Sequence, residues 1–156
     1  MTNLKVFHDS STYISSCVKE DILDLDKLEL IDDSEIVLTS LSRGFAFGGK
    51  SQLLSGCVDL GPPSVPFEKR VYFGITLDHT YPTLKPHFHF DIFCMHPYKD
   101  MFVKKHVLQA NLSITGDLNR RINHKITWNS NSTLKNALTE AVRALKHELR
   151  RNLELL

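Results

Sequence analysis

Cysteine is scarce in this sequence, and neither a long apolar run nor an excess of one charge is present. Cys17, Cys57 and Cys94 are the three cysteines. An odd, widely spaced set without a Cys-x-x-Cys pair is atypical of a disulfide framework and favours a reducing compartment. No apolar run approaches the roughly 18 residues that a membrane-spanning helix needs, and the N-terminal residues lack the pattern of a signal peptide. We therefore expect a cytoplasmic or nuclear protein without membrane insertion.

The charges are nearly balanced. Nineteen Lys and Arg residues stand against eighteen Asp and Glu residues, which gives a formal net charge of +1. Such a small net charge offers no electrostatic reason to expect nucleic acid or another polyanion as a partner. A chain of 156 residues is long enough for one ordinary hydrophobic core. We expect a single domain over residues 1–156.

Two segments have the apolar spacing of amphipathic helices. Within residues 10–28, Ile14, Val18, Ile22 and Leu25 recur at helical intervals after serines that can cap a first turn. From Thr133 onward, a longer apolar stripe predicts a second and more extended helix. The stripe consists of Leu134, Leu138, Val142, Leu145, Leu149 and Leu153.

Four segments between these helices are typical of β-strands. Residues 34–42 and 51–60 flank a glycine-rich stretch and predict a hairpin, while residues 71–77 and 87–93 alternate apolar with polar side chains. The short connections predict an antiparallel meander, one face of which needs a cover. Residues 95–128 lack a clean period, so we expect loops there with at most short helical or strand pieces.

Proline-rich turns separate these strands. Proline fixes φ and lacks an N–H donor, so each turn ends one strand and sets the entry of the next. The order of the turns resembles the ubiquitin-conjugating enzyme family, whose usual run is Gly-Pro-Pro, Pro-aromatic, a strand, Tyr-Pro with further prolines, His-Pro-Asn, and a Trp ahead of a helix. The matching residues are Gly61, Pro62, Pro63, Pro66, Phe67, Val71, Phe73, Tyr81, Pro82, Pro86, His96, Pro97 and Trp128.

The resemblance implies an α+β fold similar to that of the conjugating enzymes. It would contain an N-terminal helix, a four-stranded antiparallel meander sheet and a long C-terminal helix packed on the sheet. No cofactor is implied.

The sequence departs from the active members of this family where catalysis would occur. Active members carry a cysteine shortly after His-Pro-Asn, because ubiquitin passes through a thioester that needs a nucleophilic sulfur. Here no cysteine follows Cys94, the cysteine position falls near His106, and Tyr98 replaces the Asn of the motif. The resemblance therefore implies an inactive ubiquitin-conjugating enzyme variant, which binds other proteins and is not itself an enzyme.

Known variants of this kind pair with an active conjugating enzyme, recognise ubiquitin or short peptides, or serve as subunits of larger assemblies. The resemblance therefore implies protein partners such as an active conjugating enzyme, a ubiquitin ligase or ubiquitin. By analogy, contacts would fall on the first helix, on the loop after the Tyr81 turn and on the loop around Trp128. We name Tyr13, Val18, Trp128 and Asn129 as candidate contact residues. A packed core position is the competing interpretation of Trp128.

A related adaptor fold is the first alternative. The spacing Tyr81-Pro82-x-x-x-Pro86 lacks the doubled proline of the conjugating enzymes and resembles the RWD domain, an adaptor found in kinases, ligases and kinetochore proteins. The Gly-Pro-Pro turn and Trp128 favour the conjugating-enzyme resemblance over this one.

A histidine-based metal enzyme is the second alternative. His87 and His89 share one strand face, and Asp91, His96 and His106 follow in the sequence. Imidazoles at this spacing could hold a metal ion. Surface histidines beside an alternating Phe core explain the pattern equally well, and we assign no metal ligand.

The segment 99–126 is rich in cations. It carries Lys104, Lys105, Arg120, Arg121 and Lys125 among its basic residues. Such a cluster could contact an acidic partner, although a solvated surface is the more usual explanation of a charge run.

Overall fold

The fold is given by a computed structural model, which describes residues 16–44, 51–60, 70–91 and 108–152. The elements are α1 Ser16–Asp26, β1 Leu30–Ile31, β2 Ser34–Gly44, β3 Ser51–Asp59, β4 Arg70–Asp78, β5 His87–Asp91, α2 Leu108–Lys125 and α3 Leu134–Asn152. Several residues named above lie outside the described ranges, namely Tyr13, Gly61, Pro62, Pro63, Pro66, Phe67, His96, Pro97 and His106. Val18 lies in α1, but its side chain is not among those described.

The sheet is an antiparallel meander in the order β1-β2-β3-β4-β5. The predicted hairpin and the two alternating strands are confirmed, but the sheet has five strands and not four. The strand missed by the prediction, β1, is two residues long and too short to produce a period. Its turn into β2 contains Asp32 at φ 55°, a left-handed conformation that Asp tolerates better than most residues. Arg143 of α3 donates to both Asp32 carboxylate oxygens, at 3.2 and 3.1 Å.

Alternation along the strands places one sheet face in the core. On β4, Val71 and Ile75 are fully buried, whereas Tyr72 between them is 48% exposed. On β5, Phe88 and Phe90 are fully buried, with ring centroids 6.5 Å apart. This period of two is the pattern expected of a sheet that is covered on one side.

The prediction of loops in residues 95–128 is wrong for most of the described part, because Leu108–Lys125 forms an 18-residue helix, α2. Leu118 and Ile122 are fully buried on it. The positions that follow them, Asn119 and Asn123, are also buried but polar. Over residues 116–125, the part of α2 whose side chains are described, the buried side is therefore half amide, so an apolar period is weak there.

These two asparagines complete the hydrogen bonding of the sheet edge. The Asn123 amide accepts from the Phe88 N–H at 2.8 Å and donates to the Phe88 carbonyl at 2.7 Å. Asn119 makes the same pair of bonds with Phe90, at 2.7 and 3.1 Å. Each side chain thus replaces one residue of a missing neighbour strand, and the backbone of β5 is satisfied beneath the helix.

The predicted long C-terminal helix is confirmed in α3. Thr133 caps it, because its hydroxyl accepts from the Asn136 N–H at 3.2 Å. The buried apolar residues of α3 belong to the same core as the inward residues of the sheet. They are Leu134, Ala137, Leu138, Ala141, Val142, Ala144, Leu145 and Leu149.

A buried carboxylate joins α3 to α2. The Glu148 side chain is only 4% exposed and accepts from Arg121 Nε at 2.9 Å and from Lys125 Nζ at 2.8 Å. Burial alone would raise the pKa of Glu148, but the hydrogen bonds from Lys125 and Arg121 outweigh it and hold the pKa below its ordinary value of 4.5. The charged form is therefore stabilised by folding.

Asn123→Asp tests the amide bonds to the sheet edge. The carboxylate can still accept from the Phe88 N–H, but it cannot donate to the Phe88 carbonyl. We expect the unfolding free energy to fall by about 1–3 kcal/mol, the cost of a buried unsatisfied polar group. Urea denaturation followed by circular dichroism measures the change. Asn131→Asp, at an exposed loop position, is the matched control and should stay within about 0.5 kcal/mol. Equal losses in both variants would contradict the assignment.

Glu148→Gln tests the buried ion pair through its pH dependence. Because the folded pKa of Glu148 lies below 4.5, the charged carboxylate stabilises the native state above that pH and loses this contribution as the pH falls through the folded pKa. At pH 7 we expect the variant to lose about 1–3 kcal/mol. The difference from the parent chain should shrink in urea titrations below pH 4.5. A difference that stays constant with pH would show that Glu148 is not the titrating group.

Candidate functional site

The turn between β4 and β5 is fixed by its own hydrogen bonds. The carboxylate of Asp78 accepts from the Thr80 N–H at 3.0 Å and from the Thr80 hydroxyl. Chiefly through the bond from this hydroxyl, the pKa of Asp78 is lowered. The Tyr81 N–H donates to the Asp78 carbonyl at 2.9 Å, and the peptide bond from Tyr81 to Pro82 is cis. These bonds fix the position of the Tyr81 ring.

Asp21 of α1 connects this turn to α3. The Tyr81 hydroxyl, on a ring only 7% exposed, donates to the Asp21 carboxylate. The same carboxylate accepts from the N–H of Leu134, the first residue of α3, at 3.1 Å. A carboxylate at the start of a helix is favourably placed, because the first N–H groups lack partners within the helix. One side chain thus holds three elements together.

Trp128 completes the junction. Its indole N–H donates to the Pro82 carbonyl at 2.8 Å, and its ring centroid lies 5.6 Å from that of Tyr81. The side chain is half-buried and packs against the core, so the packed interpretation is correct for at least part of the ring. The following loop holds its own shape, since Asn129 N–H donates to Ser132 Oγ at 2.9 Å.

An open cleft of about 260 Å³ lies at this junction. The residues that line it are Glu20, Asp21, Asp24, Tyr81, Pro82, Ser132 and Thr133. Three of the seven are acidic. Asp24 also forms an exposed ion pair with Lys27 at 3.8 Å. The exposed carboxylates give the cleft an anionic rim, which would attract Lys or Arg from a partner surface.

Several residues named from the sequence meet here. The Tyr81 turn, the Trp128 loop and α1 are adjacent, while Asn129 is exposed next to Trp128. Pro86 is buried just before β5 and does not line the cleft. Sequence reasoning missed Asp21. The position of Asp21 in the sequence was the available signal for its role. Asp21 lies beside the core positions Ile22 and Leu25, at the border of the apolar face of α1.

The described cations of the basic segment are paired within the chain. Arg120 contacts Asp117 at 3.2 Å, and Arg121 and Lys125 contact Glu148. These contacts leave the segment a poor candidate for binding an acidic partner through those three residues. Lys104 and Lys105 lie outside the described ranges.

The two strand histidines do not form a metal centre with other described residues. His87 and His89 are exposed on β5, opposite Thr76 and Gly74 of β4. Desolvation, followed by the charges of His89 and Lys85, lowers the pKa of His87. Among the described residues, no three His, Cys, Asp or Glu side chains converge as ligands. His96 and His106, which the metal hypothesis also used, lie outside those ranges.

Comparison with known proteins gives no match, whether to family models, to curated proteins or to solved structures. The resemblance to conjugating enzymes therefore depends on the motif residues alone. None of the helices in the described ranges is long and apolar enough to cross a membrane.

A double-mutant cycle on Asp21 and Tyr81 tests the junction. Tyr81→Phe and Asp21→Asn each weaken their shared hydrogen bond, and we expect each to lower the unfolding free energy by about 0.5–2 kcal/mol. Because the two residues share that bond, the double variant should lose less than the sum, with a coupling of at least about 0.5 kcal/mol. Asp24→Asn, on an exposed neighbouring carboxylate, serves as the control and should not couple to Tyr81→Phe. Additive losses for Asp21 and Tyr81 would contradict the described contact.

Proposed function

We propose that this chain is a non-catalytic protein-binding module similar to the ubiquitin-conjugating enzymes, acting as a subunit or cofactor in ubiquitin or ubiquitin-like conjugation. One observation carries the proposal. Two of the segments that the resemblance assigns to partner contacts, α1 and the loop around Trp128, meet the Tyr81–Pro82 turn at one open cleft with an anionic rim.

The cleft is suited to binding a protein surface. Its inner polar groups bind one another, as Asp21 does with Tyr81 and Leu134. Glu20, Asp24, Pro82 and Thr133 are exposed at its rim. A partner would meet a preformed frame with carboxylates at its edge, and little ordering of side chains would be needed on binding. A partner surface that carries Lys or Arg beside an apolar patch fits this arrangement.

The chemistry of the cysteines supports a binding role. A thioester requires sulfur, and no cysteine follows Cys94 in the sequence. The described thiol of Cys57 is half-buried on β3. Burial raises the pKa of Cys57, which lowers its thiolate fraction at neutral pH and makes it a poor nucleophile. Imidazole near the motif, at His106, cannot hold a stable thioester.

The RWD-like adaptor is the second candidate. The spacing Tyr81-Pro82-x-x-x-Pro86, which lacks the doubled proline of the conjugating enzymes, supports it. Both candidates are non-catalytic, and they differ in the partner that they bind.

Binding and thioester assays on the full chain test the proposal. The sequence contains one tryptophan, so its fluorescence reports on the cleft through Trp128. We expect titration with ubiquitin or with an active conjugating enzyme to change this fluorescence. We also expect that activating enzyme, ATP and ubiquitin will form no thiol-sensitive adduct on the chain. Stimulation of an active conjugating enzyme would distinguish the conjugation cofactor from the adaptor.

The double variant Glu20→Lys with Asp24→Lys should weaken that binding by about tenfold, as expected for two exposed ion pairs of about 0.2–1 kcal/mol each. Asp117→Lys, an exposed charge reversal on α2, is the matched control and should leave binding unchanged. A thioester formed on the chain would overturn the non-catalytic assignment. Binding unaffected by the cleft variant would move the interface elsewhere.

A further inference from the structure

The two edges of the sheet differ in the hydrogen-bond partners of their outward backbone groups. Along β5, the α2 asparagines bind the backbone. At the opposite edge, the two-residue β1 pairs only with Ser34 and Glu35 of β2, which is 11 residues long. Within the described ranges, the rest of the outer edge of β2 has no strand beside it. An exposed strand edge is a template for pairing with another extended segment.

The strand that pairs with β2 at this edge is short because the chain before it forms the end of α1. The last contact is the Ile36 N–H, which donates to the Glu29 carbonyl at 2.8 Å. One residue earlier, the Leu28 N–H donates to the Leu25 carbonyl at 3.0 Å, a bond that belongs to the end of the helix. The residues before Glu29 belong to the end of the helix, so they do not extend the pairing with β2 beyond Ile36.

Leu38 marks the start of the open edge. Alternate residues of a strand direct their N–H and C=O groups to opposite neighbours. Ile36 faces the β1 side, so Leu38 does as well, whereas Val37, opposite Cys57, faces β3. The backbone groups of Leu38 are thus directed to the open side. The register with β3 shifts between Leu38 and Ser40, so the regular alternation assigns the edge only up to Leu38.

An open groove of about 860 Å³ runs beside this edge. Residues 35–38 of β2 line it together with Leu23, Leu28 and Leu30, which contribute apolar surface. Leu30 is 56% exposed. Around these leucines lie three carboxylates, Asp26, Glu29 and Glu35, and one cation, Lys27. Three carboxylates against one cation leave the groove with an anionic rim.

We propose that the outer edge of β2 beyond Ile36 binds an extended segment of a partner protein in which apolar side chains alternate with polar and basic ones. The backbone groups of this edge, which have no strand beside them among the described residues, select a strand. The leucines accept its apolar side chains, and the carboxylates attract its Lys or Arg residues. The site goes beyond the function proposed above. It shares no lining residue with the Tyr81–Trp128 cleft, so either surface can fail its test without the other.

Amide exchange on the full, nitrogen-15-labelled chain tests this proposal. The probe is a capped peptide of about nine residues, with valine alternating with lysine or threonine, long enough to pair along the open edge. We expect the exchange of the Leu38 amide to slow by about tenfold or more at saturation, because it gains a hydrogen bond. The Val37 amide, which already faces β3, should not change. A control peptide with proline at every second position keeps its charge but lacks the donors, and it should not bind.

Charge reversal supplies the second arm. Glu35→Lys should weaken peptide binding by about two- to fivefold, the range of an exposed ion pair, and Asp117→Lys should leave it unchanged. Three results would overturn the proposal. One is equal binding of the proline peptide. Another is a Leu38 amide already protected in the free chain at every concentration, since another segment of this chain would then cover the edge. Protection that grows with protein concentration would instead identify a second copy as the occupant.

Discussion

Hydrogen bonds from two side-chain amides to the edge of the sheet are the constraint on which the helical layer depends. A strand edge beneath a helix leaves N–H and C=O groups without water, at a cost of about 1–3 kcal/mol for each unpaired group. An asparagine amide carries one acceptor and two donors, so it can serve both groups of one residue. The spacing also matches. Four residues along a helix rise about 6 Å, and two residues along a strand span about 6.8 Å. Asn119 and Asn123 can therefore meet Phe90 and Phe88 together.

This match sets the direction of α2 and, through it, the position of α3. The later asparagine binds the earlier phenylalanine, so α2 runs opposite to β5. With that direction fixed, Arg121 and Lys125 lie where they can both reach Glu148 of α3. At the other end of α3, the first N–H is received by Asp21. Hydrogen bonds at two places thus fix the helical layer, and the cleft forms where the layer meets the Tyr81 turn.

Local patterns predicted the elements whose buried face is mainly apolar. The alternation in β4 and β5 and the leucine stripe of α3 follow from burial against a single core, and the structure confirms them. The helix α2 was not found in this way, because every second buried position among its described side chains is an amide. The repeat of Leu118-Asn119 and Ile122-Asn123 was visible, but its meaning depends on contacts with a strand edge 29 and 35 residues away in the sequence. The same limit applied to Asp21, which contacts Tyr81 across 60 positions of sequence. The contact between Tyr81 and Trp128 was likewise not predicted from the sequence.

The polar groups of the cleft form two sets. Those of the frame are hydrogen-bonded within the chain, whereas those of the rim are exposed and available to a partner. Asp21 receives hydrogen bonds from Tyr81 and Leu134, and the Trp128 N–H is bound by the Pro82 carbonyl. These groups are engaged in holding three elements together, so a proton transfer or metal-binding role would break the junction that positions them. The exposed rim, with Glu20 and Asp24, can change its contacts without disturbing that frame. A rigid interior with an exchangeable charged rim favours recognition of a protein surface, because complementarity at the rim sets specificity while the frame stays preorganised.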